Sequence, residues 1–353
     1  MKILYFNLVE KIHTRDSVYL NGLKNLGVEI IECRDWSPGL KKFWNLYKKH
    51  WVLKNKYDIL FVGFAGHILV PFARIISNKK IVFNAMSSLF DGAFWSNKKN
   101  GGFLGWRVPY IWFVDWLVFN SAHLSILDSN NRKEYIRRMF LVPESKLATL
   151  CNGVSDSIFA YNSNIKKLPM FTVLFRGAFM TEAGIEYLLE AANALKHEPV
   201  RFRIIGSGLL APVVDKMIRE LELNNVEWIK ERLPWDELIA KMQECHLSIG
   251  QNSDNKRQKV QVAFKTVESM ALKIPQIIAL NSEGILEFLT DKVTCIGVKP
   301  TDPQDLVEKI LWAKNNQAEI SRIAKNAYEL YLREFTQEIL ARKMLELIKQ
   351  LNK

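Results

Sequence analysis

Short apolar runs alternate with amphipathic stretches along almost the whole chain, and the alternation breaks once and starts again. Residues 2–8 (KILYFNL), 28–32 (VEIIE), 59–64 (ILFVGF), 80–84 (KIVFN), 124–128 (LSILD) and 147–151 (LATLC) read as strands. Most lie beside Gly, Asn or Asp, with helical patterns between several of them. The order β-then-α, repeated, predicts a mainly parallel sheet covered by helices. Residues 160–170 (AYNSNIKKLPM) lose the pattern and read as a linker segment. It then resumes with TVLFRG (172–177), a helix through EYLLEAANAL, FRIIGSG (202–208), VEWI (226–229), HLSIG (246–250) and PQIIA (275–279), and becomes helical after Pro303. Two α/β, doubly wound, Rossmann-like domains facing across a cleft follow. The division is 1–160 for the N-terminal domain, 161–170 for the linker and 171–335 for the C-terminal domain. A C-terminal helix over 336–353 has the N-terminal domain as its candidate packing partner. Ligands in such sheets sit at the carboxyl ends of the strands.

Cys33, Cys151, Cys245 and Cys295 show no Cys-x-x-Cys spacing, which argues against zinc, iron–sulfur clusters and a disulfide framework and fits a reducing, cytoplasmic compartment. The apolar run at the N-terminus is too short for a signal peptide and reads as a first strand. A net charge of +12 points to an anionic partner without choosing among nucleic acid, lipid and phosphorylated substrates.

Two segments carry candidate nucleotide-binding chemistry. Gly206-Ser207-Gly208-Leu209-Leu210-Ala211 follows a strand and opens a helix, matching the dinucleotide pattern G-x-G-x-x-A, with Glu227 placed to meet a ribose. A nicotinamide site, a nucleotide-sugar contact and a plain tight turn all fit it. The stretch from Gly250 to Pro275 crowds Lys256, Arg257, Lys259 and Lys265 around a strand end and a helix start. A cation there is unfavourable unless an anion joins it. Lys265 and Glu268 share a helix face, where they form either a ligand site or an ordinary surface pair.

The run FKTVESMALKIPQIIA resembles the Lys-x-x-Glu helix of GT-B glycosyltransferases related to glycosyltransferase family 4 (group 1). CNGVSDSIF (151–159), FRGAFMTEAGIEYLLEAANAL (175–195), FRIIGSG and NNVEWIKERLPWDELIAKMQECHLSIG are similar to that family's stretches in the same order. The resemblance implies a donor site holding Gly177, Gly206, Ser207, Gly208, Arg232, Lys256, Lys265 and Glu268, with Glu268 on the nucleotide ribose. The chain departs from the family at two places. The first Glu of Glu-x7-Glu falls on Val260, and the Arg and Lys positions of the diphosphate clamp fall on Ala178 and Ala183. A variant subgroup with a Lys-x-x-Glu helix has this pattern, with Lys256 and Lys265 replacing the clamp. No Asp-x-Asp occurs, so cationic side chains and helix N-termini are expected to neutralise the diphosphate, with no metal and no other cofactor.

Acceptor chemistry is expected in the N-terminal domain. His67 follows a strand end and has an imidazole suited to act as base; Asp91 lies beyond another strand end. Asp16 is the third catalytic candidate, and Arg15 beside it the acceptor-binding one. Residues 41–56 (KKFWNLYKKHWVLKNK) hold six lysines, four aromatics and no acid, and 94–119 is a second aromatic stretch. Lysines among aromatic rings suit attachment to an anionic membrane surface; the alternative is that Trp44 and Trp51 are core residues. Neither stretch spans a bilayer. The resulting expectation is a hexosyltransferase on the inner membrane face. It would take a UDP- or GDP-sugar and a lipid-linked or saccharide acceptor in cell-surface polysaccharide synthesis, without nucleic acid. A nucleotide-sugar epimerase of the same fold, and a non-catalytic basic protein binding lipid or nucleic acid, are the alternatives.

Overall fold

A computed structural model describes residues 1–93, 107–180, 183–254, 262–281 and 283–351. The chain forms two compact units, one of Met1–Gly153 joined by the segment from Thr336 onward, the other Val154–Phe335.

In the first unit, strands β1 (Lys2–Asn7), β2 (Glu29–Arg34), β3 (Ile59–Val62), β4 (Lys80–Met86), β5 (Leu124–Leu127) and β6 (Leu147–Thr149) pair in parallel, in the order β2-β1-β3-β4-β5-β6. The direction of winding reverses between β1 and β3, so the loops after those strands diverge and leave a crevice at their carboxyl ends. Helices α1 (Thr14–Asn25), α2 (Lys41–Leu53), α3 (Leu69–Ile76), α4 (Arg107–Ser121) and α5 (Asn130–Met139) connect them. Two start on a side-chain cap, with His13 accepting from the Arg15 amide and Ser129 from the Arg132 amide. Every side chain of β3 is buried, as an interior parallel strand covered on both faces requires.

The second unit repeats the design with β7 (Phe171–Arg176), β8 (Val200–Ile205), β9 (Val226–Ile229), β10 (Leu247–Ile249), β11 (Gln276–Ala279) and β12 (Ile296–Val298), all parallel, ordered β12-β11-β10-β7-β8-β9. Its reversal point lies between β7 and β10. Helices α6 (Ile185–Ala194), α7 (Ala211–Glu220), α8 (Trp235–Gln243), α9 (Phe264–Ala271), α10 (Glu283–Leu286), α11 (Pro303–Asn315) and α12 (Gln317–Glu334) cover it. Pro303 begins α11 behind the Asp302 cap, which explains the sharp turn into helix. The segment read as a linker is fastened to this unit. Lys167 Nζ donates to the carbonyls of Gln243 (2.8 Å) and Cys245 (2.6 Å), and the Asn162 amide donates to Gln243 Oε1.

The last helix, α13 (Gln337–Leu351), leaves the second unit and lies on α1, burying Leu340, Ala341, Met344 and Ile348. Gly22 makes the approach possible: a Cβ there would stand 2.6 Å from Ala341 Cβ and 2.7 Å from the Gln337 carbonyl.

Candidate active site

In the second unit β7, β8 and β9 end together, and the loops that follow them enclose a cavity of about 870 Å³. Its wall includes Arg176, Gly177, Gly206, Ser207, Arg232 and Trp235. The loops are laced by backbone. The Gly177 amide donates to the Ile205 carbonyl (3.1 Å), Gly206 to Ile229 (3.2 Å) and Phe179 to Ser207 (3.0 Å). Trp228 Nε1 donates to the Gly206 carbonyl at 2.9 Å. A Cβ on Gly206 would lie 2.1 Å from the Gly177 carbonyl oxygen, and its φ of 141° disfavours other residues. Loop-to-loop contact thus accounts for that glycine.

Of the residues expected at the donor site, Gly177, Gly206, Ser207 and Arg232 line this cavity. Gly208 does not; a Cβ there would meet the Phe179 backbone at 2.7 Å, so it packs the loop. Lys256 lies outside the described residues. Glu227, the ribose candidate of a dinucleotide reading, accepts from Arg203 Nε at 2.7 Å.

Glu268, on α9 after β10, is only 4% exposed. It makes no surface pair with Lys265. Arg176 Nη1 instead donates to both its carboxylate oxygens, at 2.6 and 2.5 Å. Burial raises the Glu268 carboxyl above its ordinary range, against the pull of Arg176. Lys265 is half-buried, but its Nζ is sealed from solvent without a hydrogen-bond partner among the described residues. That nitrogen lies 4.4 Å from the Phe175 ring centroid. Burial, then the nearby Arg176, lower its pKa to about 7. An unpartnered amine beside a guanidinium is an arrangement that an anion would relieve.

Sequence reasoning missed Arg176, the one residue that both lines the cavity and holds Glu268. The available signal was a charged residue closing an otherwise apolar strand immediately before a glycine.

The N-terminal candidates fare differently. Arg15 and Asp16 are both 0% exposed. Arg15 spends its guanidinium on Asn84 Oδ1 (2.8 Å), Asn152 Oδ1 (2.7 Å) and the Leu150 carbonyl (2.9 Å). Asp16 accepts from the Phe64 amide, Tyr5 Oη (2.8 Å) and Asn84 Nδ2 (2.6 Å). These two residues tie strand ends together, and their hydrogen bonds are spent inside the fold, where the sequence reading expected acceptor binding and catalysis. Asp91 is also engaged, accepting from Arg132 Nη1 at 3.0 Å, while Arg132 Nε donates to Asp128 at 2.8 Å. Asp91, expected as a catalytic residue, is thus part of a buried ion network with Arg132 and Asp128.

His67 is the exception. Its Nε2 stands 2.9 Å from the Ser87 carbonyl, which can only accept, so Nε2 carries the hydrogen. Nδ1 is buried without a partner, and burial lowers the pKa to about 4. The ring is therefore a neutral imidazole with one unused lone pair.

On the same unit, α2 buries Leu46 and His50 and turns Trp44 and Trp51 outward, each 57% exposed. This overturns the core alternative for both tryptophans. Trp44 stacks on Tyr47 (5.6 Å), Tyr47 lies 6.1 Å from Trp51, and Lys48 and Lys54 sit over the two indoles. On α4, Tyr110 and Phe113 are also exposed. No helix among the described residues is long and apolar enough to cross a membrane.

Residues 160–330 match the family model described as Glycosyl transferases group 1. An uncharacterized glycosyltransferase of Methanocaldococcus jannaschii is 26% identical over 187 residues, 53% of this chain and 49% of that protein. WcaL of Escherichia coli, named for colanic acid biosynthesis, is 22% identical over 215 residues, 59% of this chain and 52% of its own. The chain thus covers about half the length of these curated relatives. Among solved structures, Anabaena HepE in complex with UDP and glucose matches with a TM-score of 0.78 at 16% identity, over 99% of this chain and 100% of that one. Sucrose-phosphate synthase from Thermosynechococcus elongatus gives 0.79 at 15% identity, over 100% and 99%. At such identities the likeness speaks for the fold. Residues 160–330 thus carry the group 1 glycosyl transferase match, and the two doubly wound units have the GT-B fold.

Proposed function

We propose that this chain transfers a hexose-type sugar from a UDP- or GDP-sugar to a hydroxyl of a lipid-linked or saccharide acceptor, without a divalent metal. The observation that carries the reading is the cavity where β7, β8 and β9 end, walled by glycine loops and backed by Arg176 and Glu268. The start of α8 and the cationic side chains there suit a diphosphate, and Trp235 at the wall offers an aromatic face to a base. Glu268 faces the ribose side of such a donor, and Lys265, with Lys256, neutralises the leaving group. The anomeric carbon–oxygen bond to the phosphate breaks, a bond to the acceptor oxygen forms, and the hydroxyl proton passes to a base. Of the N-terminal candidates His67 keeps an unspent lone pair, on Nδ1, and it can take that proton only once the ring is uncovered.

HepE is solved with UDP and glucose and with UDP-glucose, which supports a UDP-sugar donor; the name of WcaL supports cell-surface polysaccharide synthesis. Exposed indoles capped by lysines on α2 support attachment to an anionic inner membrane face.

A thermal-shift panel of UDP, GDP, ADP, CMP and NAD(H) tests the donor class. At 100 times its dissociation constant a ligand stabilises the fold by about 2.7 kcal/mol. A shift with one nucleoside diphosphate, weakened in Glu268→Ala, is expected. A shift with NAD(H) alone, or with none of the five, refutes the reading.

A further inference from the structure

We infer that Arg176 is a further residue that binds the donor's diphosphate, beside Lys265, and that Glu268, besides facing the ribose, positions it; this rests on the donor reading above. A nucleoside diphosphate brings at least two negative charges into the cavity, and three cationic side chains line it: Arg176, Lys230 and Arg232. Lys230 is already committed, paired with Asp215 at 2.9 Å and lying over the Trp228 ring. Arg232 is solvent-exposed, so it would give up hydration and side-chain freedom to bind.

Arg176 differs on each count. Its side chain is 23% exposed, and it projects from the end of a central strand. One nitrogen, Nη1, is fixed by both Glu268 oxygens. Its Nε and Nη2 have no hydrogen-bond partner among the described residues. The Nε/Nη2 edge of a guanidinium is the face that meets two phosphate oxygens side by side. A fork anchored at one corner, with its other edge unspent at a cavity wall, is preorganised for that contact.

The surrounding charge agrees. Arg176 and Glu268 cancel, and the unpartnered Lys265 amine beside them tips the cluster positive when protonated.

The test is calorimetric titration of the full chain with UDP (or GDP, if that is the nucleotide that stabilises it) and with the matching nucleoside. Arg176→Leu is expected to weaken the diphosphate by about 10- to 100-fold, the worth of a charged hydrogen-bonded contact, and to leave the nucleoside unchanged. Arg176→Lys keeps charge without the fork and should recover part of the loss; it carries the test alone if the leucine variant does not fold. Glu268→Gln should weaken the diphosphate more than the nucleoside, because it frees the arginine. Equal losses for both ligands in the Arg176 variants mean that Arg176 only shapes the pocket, and overturn the inference. So does unchanged diphosphate binding, with the donor reading left standing. A wild-type chain that binds no nucleoside diphosphate overturns both.

Discussion

Gly22→Ala sets two well-sized effects against each other. Gly22 lies inside α1, where helix propensity alone favours alanine by about 1 kcal/mol. The new Cβ, however, would sit 2.6 Å from Ala341 Cβ and 2.7 Å from the Gln337 carbonyl oxygen. Carbon atoms rest at about 3.5–4.0 Å, so the overlap is about 1 Å. The carbonyl belongs to helical backbone and cannot rotate away. Overpacking of this kind costs roughly 1–3 kcal/mol. The buried Leu340, Met344 and Ile348 give up contact if α13 lifts to relieve it. The difference, about 0–2 kcal/mol, falls on the side of the clash. Native-state hydrogen exchange resolved by peptide is the suitable readout, because two units need not unfold as one. Amides of residues 337–351 should exchange faster in the variant, by up to about 30-fold. Adding Ala341→Gly removes the nearer contact and should return only part of the protection, since the Gln337 carbonyl remains. Slower exchange in Gly22→Ala would show that propensity prevails, and would refute the close docking of α13 on α1.

Three further outcomes follow from the charged and aromatic groups. His67, with a folded pKa of about 4 against an ordinary 6.5, should contribute stability that is complete above pH 6.5 and lost as the pH falls towards 4, worth about 3 kcal/mol. Its ring should stay neutral by NMR at pH 5.5, and a protonated ring there contradicts the burial argument. Lys265 has a pKa of about 7 in the ligand-free protein, and a bound anion raises it. Nucleoside diphosphate binding should thus take up a fraction of a proton just above pH 7 and weaken as the pH climbs. Calorimetry in two buffers of different ionisation enthalpy measures the uptake, which Lys265→Met should abolish; zero uptake in the wild type rules the idea out. Finally, Trp44→Ala with Trp51→Ala should lower co-sedimentation with anionic phosphatidylglycerol vesicles. It should change stability by less than about 0.5 kcal/mol, as both rings are exposed. Unaltered vesicle binding would remove α2 as the attachment surface.

Much of the fold was legible because interior parallel strands must be apolar along their whole length, so ILFV and VLF announce themselves in one dimension. The break after residue 160 and the restart fixed the number of sheets. β12 (Ile296–Val298) was not among the strands read from the sequence. The sense of α2 was also undecidable from its pattern. His50 faces inward, displacing the tryptophans, since Tyr57 Oη lies 2.6 Å from its Nε2 and satisfies the buried ring.

At the candidate site, the sequence by itself determined the glycine loops, the lysine and the glutamate, because residue type and spacing along one strand–loop–helix unit are local properties. Only the tertiary structure decided what each polar group meets. Arg176 and Glu268 are 92 residues apart and are joined by the pairing of β7 with β10. Arg15 and Asp16 read as open loop residues, yet the ends of four strands close over them and use up their hydrogen bonds. A charged residue looks the same in a sequence whether it awaits a ligand or pins two strands. The difference is the set of partners within 3 Å, and the fold alone supplies those partners.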